Sequence, residues 1–247
     1  MTQTETPAPN RAPNRAPDER IICALDVPTT AEAAALVAQI QDAVGFYKVG
    51  LQLFAAGGMD LARELKAEGR KVFLDWKLHD IGATVEKAAA NLAEAGCDLL
   101  TVHARPQVMA AAARGVAGSG LKVLGVTVLT SLTAEDLAAD DHTLSPADLV
   151  EHRVHQALEA GIDGVVSSPH EAARAREIAA RAGRDDFLIV TPGVRPAGAA
   201  LDDQARAATP QAALQAGATH LVIGRPITAA ADPRGAALAV AESIALI

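Results

Sequence analysis

Asp75, Lys77 and Asp80 fall within six residues, in the run KVFLDWKLHDIGAT, and their types and spacing suit proton chemistry. Lys71 to Leu74 is short and apolar and reads as the start of a buried strand. Alternate side chains of a strand share a face, so Phe73, Asp75 and Lys77 point one way and Val72, Leu74 and Trp76 the other. The second set suits a surface covered by helices. The first puts a carboxylate and an ammonium side by side at the strand's C-terminal end, with Asp80 following in the loop. Such charges are costly to bury unless they face a wet cleft or hold a charged ligand.

Asp26 and Lys48 end two further strands at the same inward phase. Together they make five alternating charges around one mouth, a set that titrates as a coupled unit. Opposite charge favours the ionised form, so a lysine held between carboxylates stays protonated. It is then a proton donor rather than a base or a Schiff-base amine, which suits delivery of a proton to a carbanion. A structural ion pair is the plain alternative for any single Asp–Lys pair. Mg²⁺ on Asp75, Asp80 and His103 is another, opposed by the ammonium groups of Lys48 and Lys77, so no metal is expected.

Gly224-Arg225-Pro226 ends the last apolar run. Glycine lets an anion approach a backbone N–H and arginine adds a bidentate charge, a pairing suited to phosphate. Thr191-Pro192-Gly193-Val194-Arg195 ends the run before it, and an Ala/Gly-rich loop from Pro196 to Ala208 follows, carrying Gln204. A loop of that length without structure of its own reads as a lid. Thr130 and Ser131 could read the edge of a base or a carbonyl, although an N-cap for the next helix explains Ser131 or Thr133 equally well. Among the histidines, His79 reads as an orienting neighbour, and His103, His170 and His220 as structural or surface residues.

The elements that position these residues form a repeating unit: a short apolar strand ending in a polar residue, then a helix ending at a glycine. The strands read as Ile21–Asp26, Phe46–Val49, Val72–Lys77, Leu99–His103, Val123–Leu129, Gly164–Ser167, Leu188–Thr191 and Leu221–Gly224. Thr29–Glu32 and Ser168–Glu171 read as capping boxes, and Ser145-Pro146 and Thr209-Pro210 as caps before a first-turn proline. Gly45, Gly69, Gly96, Gly161, Gly183 and Gly217 sit where left-handed C-terminal caps belong. Alternating apolar strands and helices mean a parallel sheet. Eight units in 247 residues predict an α/β fold, a TIM (β/α)₈ barrel, with an open doubly wound sheet as the alternative. In a barrel, function lies at the C-terminal strand ends.

Residues 1–19 lack apolar periodicity and repeat APNR at Ala8–Arg11 and Ala12–Arg15, predicting a disordered tail before one domain over 20–247. A net charge of -8 argues against a nucleic-acid binder. With 2% aromatic residues, the core must be built from Ala, Val, Leu and Ile. Cys23 and Cys97, isolated and apolar in context, read as reduced core thiols. No apolar run approaches ~18 residues and no leader opens the chain, so no membrane partner and a cytoplasmic enzyme are expected.

Asp75–Thr84 (DWKLHDIGAT) resembles the D-x-K-x-x-D-I-x-x-T signature of the orotidine 5′-phosphate decarboxylase family. The similarity runs from Ile21 to Ile247 and takes in ALDVP (24–28), YKVG (47–50), VTVLTS (126–131), TPGVRP (191–196), DDQ (202–204) and VIGRPIT (222–228). The resemblance implies cofactor-free decarboxylation of orotidine 5′-monophosphate to UMP, the last step of UMP synthesis, in a homodimer with shared active sites. It implies that Lys77 protonates C6, that Asp75 sits against the departing carboxylate, and that Asp80 and Thr84 enter the partner's site. Asp26 and Lys48 would contact the ribose, with Lys48 also in the charged array, and Thr130 and Ser131 would meet the pyrimidine. Arg195, Gln204, Gly224 and Arg225 would hold the phosphate. Gly82 replaces the family's usual proline, Ala83 its frequent asparagine, and Ala104-Arg105-Pro106-Gln107 a common Gly-rich turn, so a local difference is expected after His103. Two alternatives stand beside this: a related Mg²⁺-dependent sugar-phosphate decarboxylase or synthase, whose strand-two glutamate would replace Lys48, and a catalytically silent nucleotide-binding barrel.

Overall fold

The computed structural model describes residues 16–196 and 208–247. Strands β1 (Ile21–Ala24), β2 (Phe46–Gly50), β3 (Lys71–Leu78), β4 (Leu99–His103), β5 (Lys122–Val126), β6 (Gly164–Val166), β7 (Leu188–Thr191) and β8 (His220–Ile223) close into one barrel in chain order. Every neighbouring pair is parallel, β8 returning to β1. The expected TIM barrel is therefore the fold.

The helices are α1 (Thr30–Ile40), α2 (Leu51–Phe54), α3 (Gly58–Ala67), α4 (Gly82–Ala93), α5 (Pro106–Gly115), α6 (Ala134–Ala139), α7 (Pro146–Glu159), α8 (Ala172–Arg181), α9 (Pro210–Gln215), α10 (Arg225–Thr228) and α11 (Pro233–Ser243). None is long and apolar enough to cross a membrane.

Period-two alternation divides the strands' apolar residues into two cores. Ile22, Ala24, Phe46, Phe73, Leu99, Leu124, Val190 and Val222 fill the barrel interior. The opposite phase, with Val49, Val72, Leu74, Trp76, Leu100 and Val102 among it, packs against the helices. Continuing the inward rows toward the C-terminal ends, Ala24 leads to Asp26, Phe46 to Lys48, and Phe73 to Asp75 and Lys77. The apolar plug thus becomes the floor of a charged mouth.

Several local expectations change. Strand five stops at Val126 rather than Leu129; Thr127 N–H still reaches Val166 O at 3.2 Å, but the Thr127 carbonyl accepts from Arg153 and the chain leaves the sheet. Helix α1 ends at Gln41, with φ 56°, so Gly45 caps nothing; Pro17 packs against it instead. Gly69, Gly96, Gly161, Gly183 and Gly217 do take positive φ. Ser168 does bond Glu171, but that pair closes a turn and α8 starts afterwards, at Ala172. Thr29 accepts from Glu32 N–H at 3.2 Å, yet Glu32 receives the hydroxyl proton rather than the Thr29 backbone N–H. Ser145 and Thr209 cap their prolines as expected.

Residues 16–19 belong to the barrel rather than to a disordered tail. Ile21 N–H donates to Asp18 O, and Lys71 pairs with Glu19 at 2.7 Å. The tail expected over 1–15 lies outside the described residues. Cys23 and Cys97 are buried free thiols, the first pushed up to about 12 by burial.

Candidate active site

Four charges form a line across the barrel mouth. Lys48 Nζ lies 2.8 Å from Asp26 Oδ1 and 3.4 Å from Asp75 Oδ2. Lys77 Nζ lies 2.8 Å from the other Asp75 oxygen, Oδ1. The order is minus, plus, minus, plus, and the sum is zero. β1 leads to Asp26, β2 carries Lys48, and β3 carries both Asp75 and Lys77.

Burial makes this line demanding. Lys48 is 7% exposed. Burial alone would lower its ammonium, but Asp75 and then Asp26 outweigh it and the value is raised. Burial alone would raise the Asp75 carboxyl; Lys48, Lys77 and the Thr101 hydroxyl hold it below the usual carboxylate range instead. Asp75 is therefore fixed as an anion with both oxygens engaged.

Lys77 reaches this place by a departure from regular pleating. Its φ is 49°, and the β3–β4 register shifts between Leu74 and Leu78. Asp75 and Lys77 share a face as expected, but a bulge presents them. Trp76 points outward against Phe54, ring centroids 4.7 Å apart.

A cavity of about 550 Å³ opens above the line. Ala24, Phe73, Val126, Val166 and Val222 form its apolar floor, and Asp26, Lys48, Asp75 and Lys77 stand on one side. Gly193, Arg195, Gly224, Arg225 and Thr228, from the ends of β7 and β8, stand among its other walls. Gly193 takes φ 77°. Arg195 is buried, and its N–H donates to Ala208 O at 2.9 Å, clasping the two ends of the segment between. Thr130 also lines the cavity.

Not every expected site residue is in it. Ser131 is exposed and outside the lining. Asp80 is exposed, accepts from Ile81 N–H at 2.6 Å, and lines a separate open cleft with His79, Ile81, Arg105 and Gln107. Thr84 is exposed on α4. Gln204 and the expected lid lie outside the described residues. Among the described residues, no group of three or more His, Cys, Asp and Glu is placed to hold a metal.

The profile of the Orotidine 5′-phosphate decarboxylase / HUMPS family matches residues 19–240. The chain belongs to that family. It is 63% identical over 228 residues to the orotidine 5′-phosphate decarboxylase of Caulobacter vibrioides (strain NA1000 / CB15N), covering 92% of this chain and 98% of that protein. To the enzyme of the same name from Rhodopseudomonas palustris (strain BisA53) it is 52% identical over 226 residues, covering 92% and 94%. The crystal structure of orotidine 5′-phosphate decarboxylase from Lactobacillus acidophilus superposes with a TM-score of 0.80 at 36% identity, covering 92% of this chain and 99% of that one.

In this member of the orotidine 5′-phosphate decarboxylase / HUMPS family, the structure adds residues that motif reading passed over. Leu51 and Gln52, on the short α2, line the cavity, as do Leu129 and Thr228. Thr101 donates to Asp75 Oδ1 at 2.9 Å. Arg153, reaching from α7, binds the Thr127 carbonyl. His103 ends β4 with its ring centroid 5.1 Å from that of His79; burial, then His79 and Lys77, lower it toward neutral imidazole. Helix α5 starts at Pro106, so the expected local difference after His103 is a proline-initiated helix with Arg105 as its N-cap.

Proposed function

We propose that this chain decarboxylates orotidine 5′-monophosphate to UMP and CO₂, without a cofactor, as the last step of UMP synthesis. The observation that carries the proposal is the neutral Asp26–Lys48–Asp75–Lys77 line on one side of a cavity whose other walls include Arg195, Gly224 and Arg225. One end suits a reacting carboxylate and the other a phosphate.

Loss of CO₂ from C6 leaves a carbanion with no adjacent electron sink, so the protein must supply electrostatics and positioning. The Lys77 ammonium faces the developing charge and then gives C6 its proton. Its chain starts from a fixed point, because Asp75 Oδ1 already holds it at 2.8 Å. Asp75, kept anionic by Lys48, also repels the substrate carboxylate; we give that ground-state effect a secondary role. Asp26 and Lys48 meet the ribose, and Thr130 the pyrimidine edge. Ser131 joins Thr130 only if the loop after β5 turns inward on binding. The phosphate is remote from the bond broken, and its binding energy helps to hold the reacting ring in place and to exclude water.

Asp80 and Thr84 act in a partner's site. What supports this is their placement: both are exposed, outside their own cavity, and next to Ile81, which is 71% exposed. Leu51 and Phe54, at the two ends of α2, are 60% and 53% exposed and suit burial against a second copy in a homodimer. Residues 20–247 act as one decarboxylase domain on a small-molecule substrate in the cytoplasm.

Purified protein should consume orotidine 5′-monophosphate, read as loss of orotate absorbance, at a rate unchanged by EDTA. Turnover abolished by EDTA and restored by Mg²⁺ would move the assignment to a metal-dependent relative. Binding without turnover would make the barrel a nucleotide sensor.

A further inference from the structure

Three residues of β3 face one residue of β4. The pairing runs Leu74↔Leu100 and resumes at Leu78↔Val102, so Asp75, Trp76 and Lys77 share Thr101 as their counterpart. A bulge leaves backbone groups without ladder partners, and a buried N–H needs one. The Lys77 N–H finds it in a side chain, donating to Thr101 Oγ1 at 2.9 Å. The same hydroxyl donates to Asp75 Oδ1, also at 2.9 Å.

These bonds close a ring. The Lys77 backbone N–H is tied through Thr101 Oγ1 to Asp75 Oδ1, and the Lys77 ammonium is tied to that same oxygen at 2.8 Å. One residue is held at both ends to one carboxylate oxygen. Lys77 also carries a positive φ of 49°, which costs a long L side chain free energy unless its surroundings impose it. Thr101 is fully buried, and β-branching leaves its hydroxyl few rotamers. It is a stiff brace at the point where the backbone is strained.

We propose that Thr101 is the positioning residue of the proton donor: its hydroxyl fuses the β3 bulge and the Asp75–Lys77 pair into one unit and so sets where the Lys77 ammonium points. The kinetic side of this rests on the decarboxylase proposal above; the geometric side does not. Asp75 is faced by Lys48 from β2, by Lys77 within β3 and by Thr101 from β4, with Asp26 behind Lys48. Removing the hydroxyl leaves both ammonium groups but frees the Lys77 backbone. It also deprives the carboxylate of its neutral donor, which moves the Asp75 carboxyl upward.

The test compares wild type, Thr101→Val and Thr101→Ser by kcat and KM for orotidine 5′-monophosphate across pH, with a crystal structure of Thr101→Val. Valine should lower kcat roughly 10–100-fold while KM changes by less than about threefold, because the loss is one of aim. The acid limb of its kcat/KM profile should move to higher pH. Serine should keep kcat within about threefold of wild type. In the Thr101→Val structure, Lys77 should leave the left-handed region or its ammonium should leave Asp75 Oδ1. If Thr101→Val does not fold, Thr101→Cys, whose thiol donates and accepts poorly, takes its place beside serine. Full kcat in the valine or cysteine variant, an unmoved Lys77 in its structure, or a serine variant equally impaired overturns the proposal. Wild-type protein that leaves the substrate intact overturns the decarboxylase assignment instead, and the variant's structure still decides on Thr101.

Discussion

Asp75 Oδ2 lies 3.4 Å from Lys48 Nζ, and this contact keeps a lysine that is 7% exposed beneath the barrel mouth. Breaking one side of a buried pair leaves an uncompensated charge and typically costs about 3–5 kcal/mol. Lys77 still faces Asp75, so Lys48→Met should fall at the lower end, about 3 kcal/mol, read by urea unfolding. A Lys48→Met protein as stable as wild type would show that Asp75 does not depend on Lys48.

Gly50 ends β2 beside the Asp26–Lys48 pair. A Cβ there would stand 2.6 Å from Asp26 Oδ1 and 2.9 Å from Lys48 Nζ. Gly50→Ala should therefore push the pair apart and lower kcat/KM roughly 10–100-fold, the scale of a misplacement near 1 Å. Gly120→Ala is the control: its Cβ meets nothing within 4 Å, and stability should stay within about 0.5 kcal/mol. Equal activity in the Gly50→Ala and Gly120→Ala proteins would contradict the close approach.

Buried Lys48 and partly buried Asp75 also set a stability profile in pH. Asp75 is held below its unfolded value of ~3.9, so its contribution is complete above that pH and is lost as pH falls through the lower folded value. Lys48 is raised, so its contribution is complete below ~10.4 and is lost as pH rises through the folded value. The difference in unfolding free energy between wild type and Asp75→Asn should be flat from about pH 5 to 9 and shrink in stronger acid. A difference that grows as pH falls would reverse the assigned sign.

Asp80 accepts from Ile81 N–H in its own open cleft rather than in the main cavity. In the proposed homodimer with shared sites, Lys77→Ala and Asp80→Ala chains should each be inactive alone, and equal amounts should regain about a quarter of wild-type activity after exchange. Half of randomly re-paired dimers are mixed, and one of their two sites is then intact. No recovery in a mixture proven to exchange would confine each site to one chain.

The barrel was legible in sequence because each strand is a short apolar run between a cap and a glycine, and eight such units leave few other arrangements. Strand ends were less so. Val123–Leu129 is apolar nearly throughout, and nothing in it announces that Arg153, 26 residues on, takes the Thr127 carbonyl and turns the chain away. Gly45 looked like a helix end, but Gln41 takes a positive φ and ends the helix first. Of the site, Asp26, Lys48, Asp75 and Lys77 were readable because charge at the end of an apolar strand is costly without a purpose. Thr101 was not. A threonine within LLTVH is an ordinary strand former, and only the three-against-one pairing across β3 and β4 gives its hydroxyl a task. Leu51 and Gln52 belong to a four-residue helix with no cap signal to mark it.

Lys77 held by Asp75 as the donor of the C6 proton is the central claim, and turnover of orotidine 5′-monophosphate by Lys77→Ala tests it most directly. Positioned proton transfer contributes typically 10²–10⁴-fold and charge stabilisation about as much again, so the variant should lose roughly 10³-fold or more in kcat while still folding and binding UMP. A Lys77→Ala protein that decarboxylates within about tenfold of the wild-type rate would contradict it.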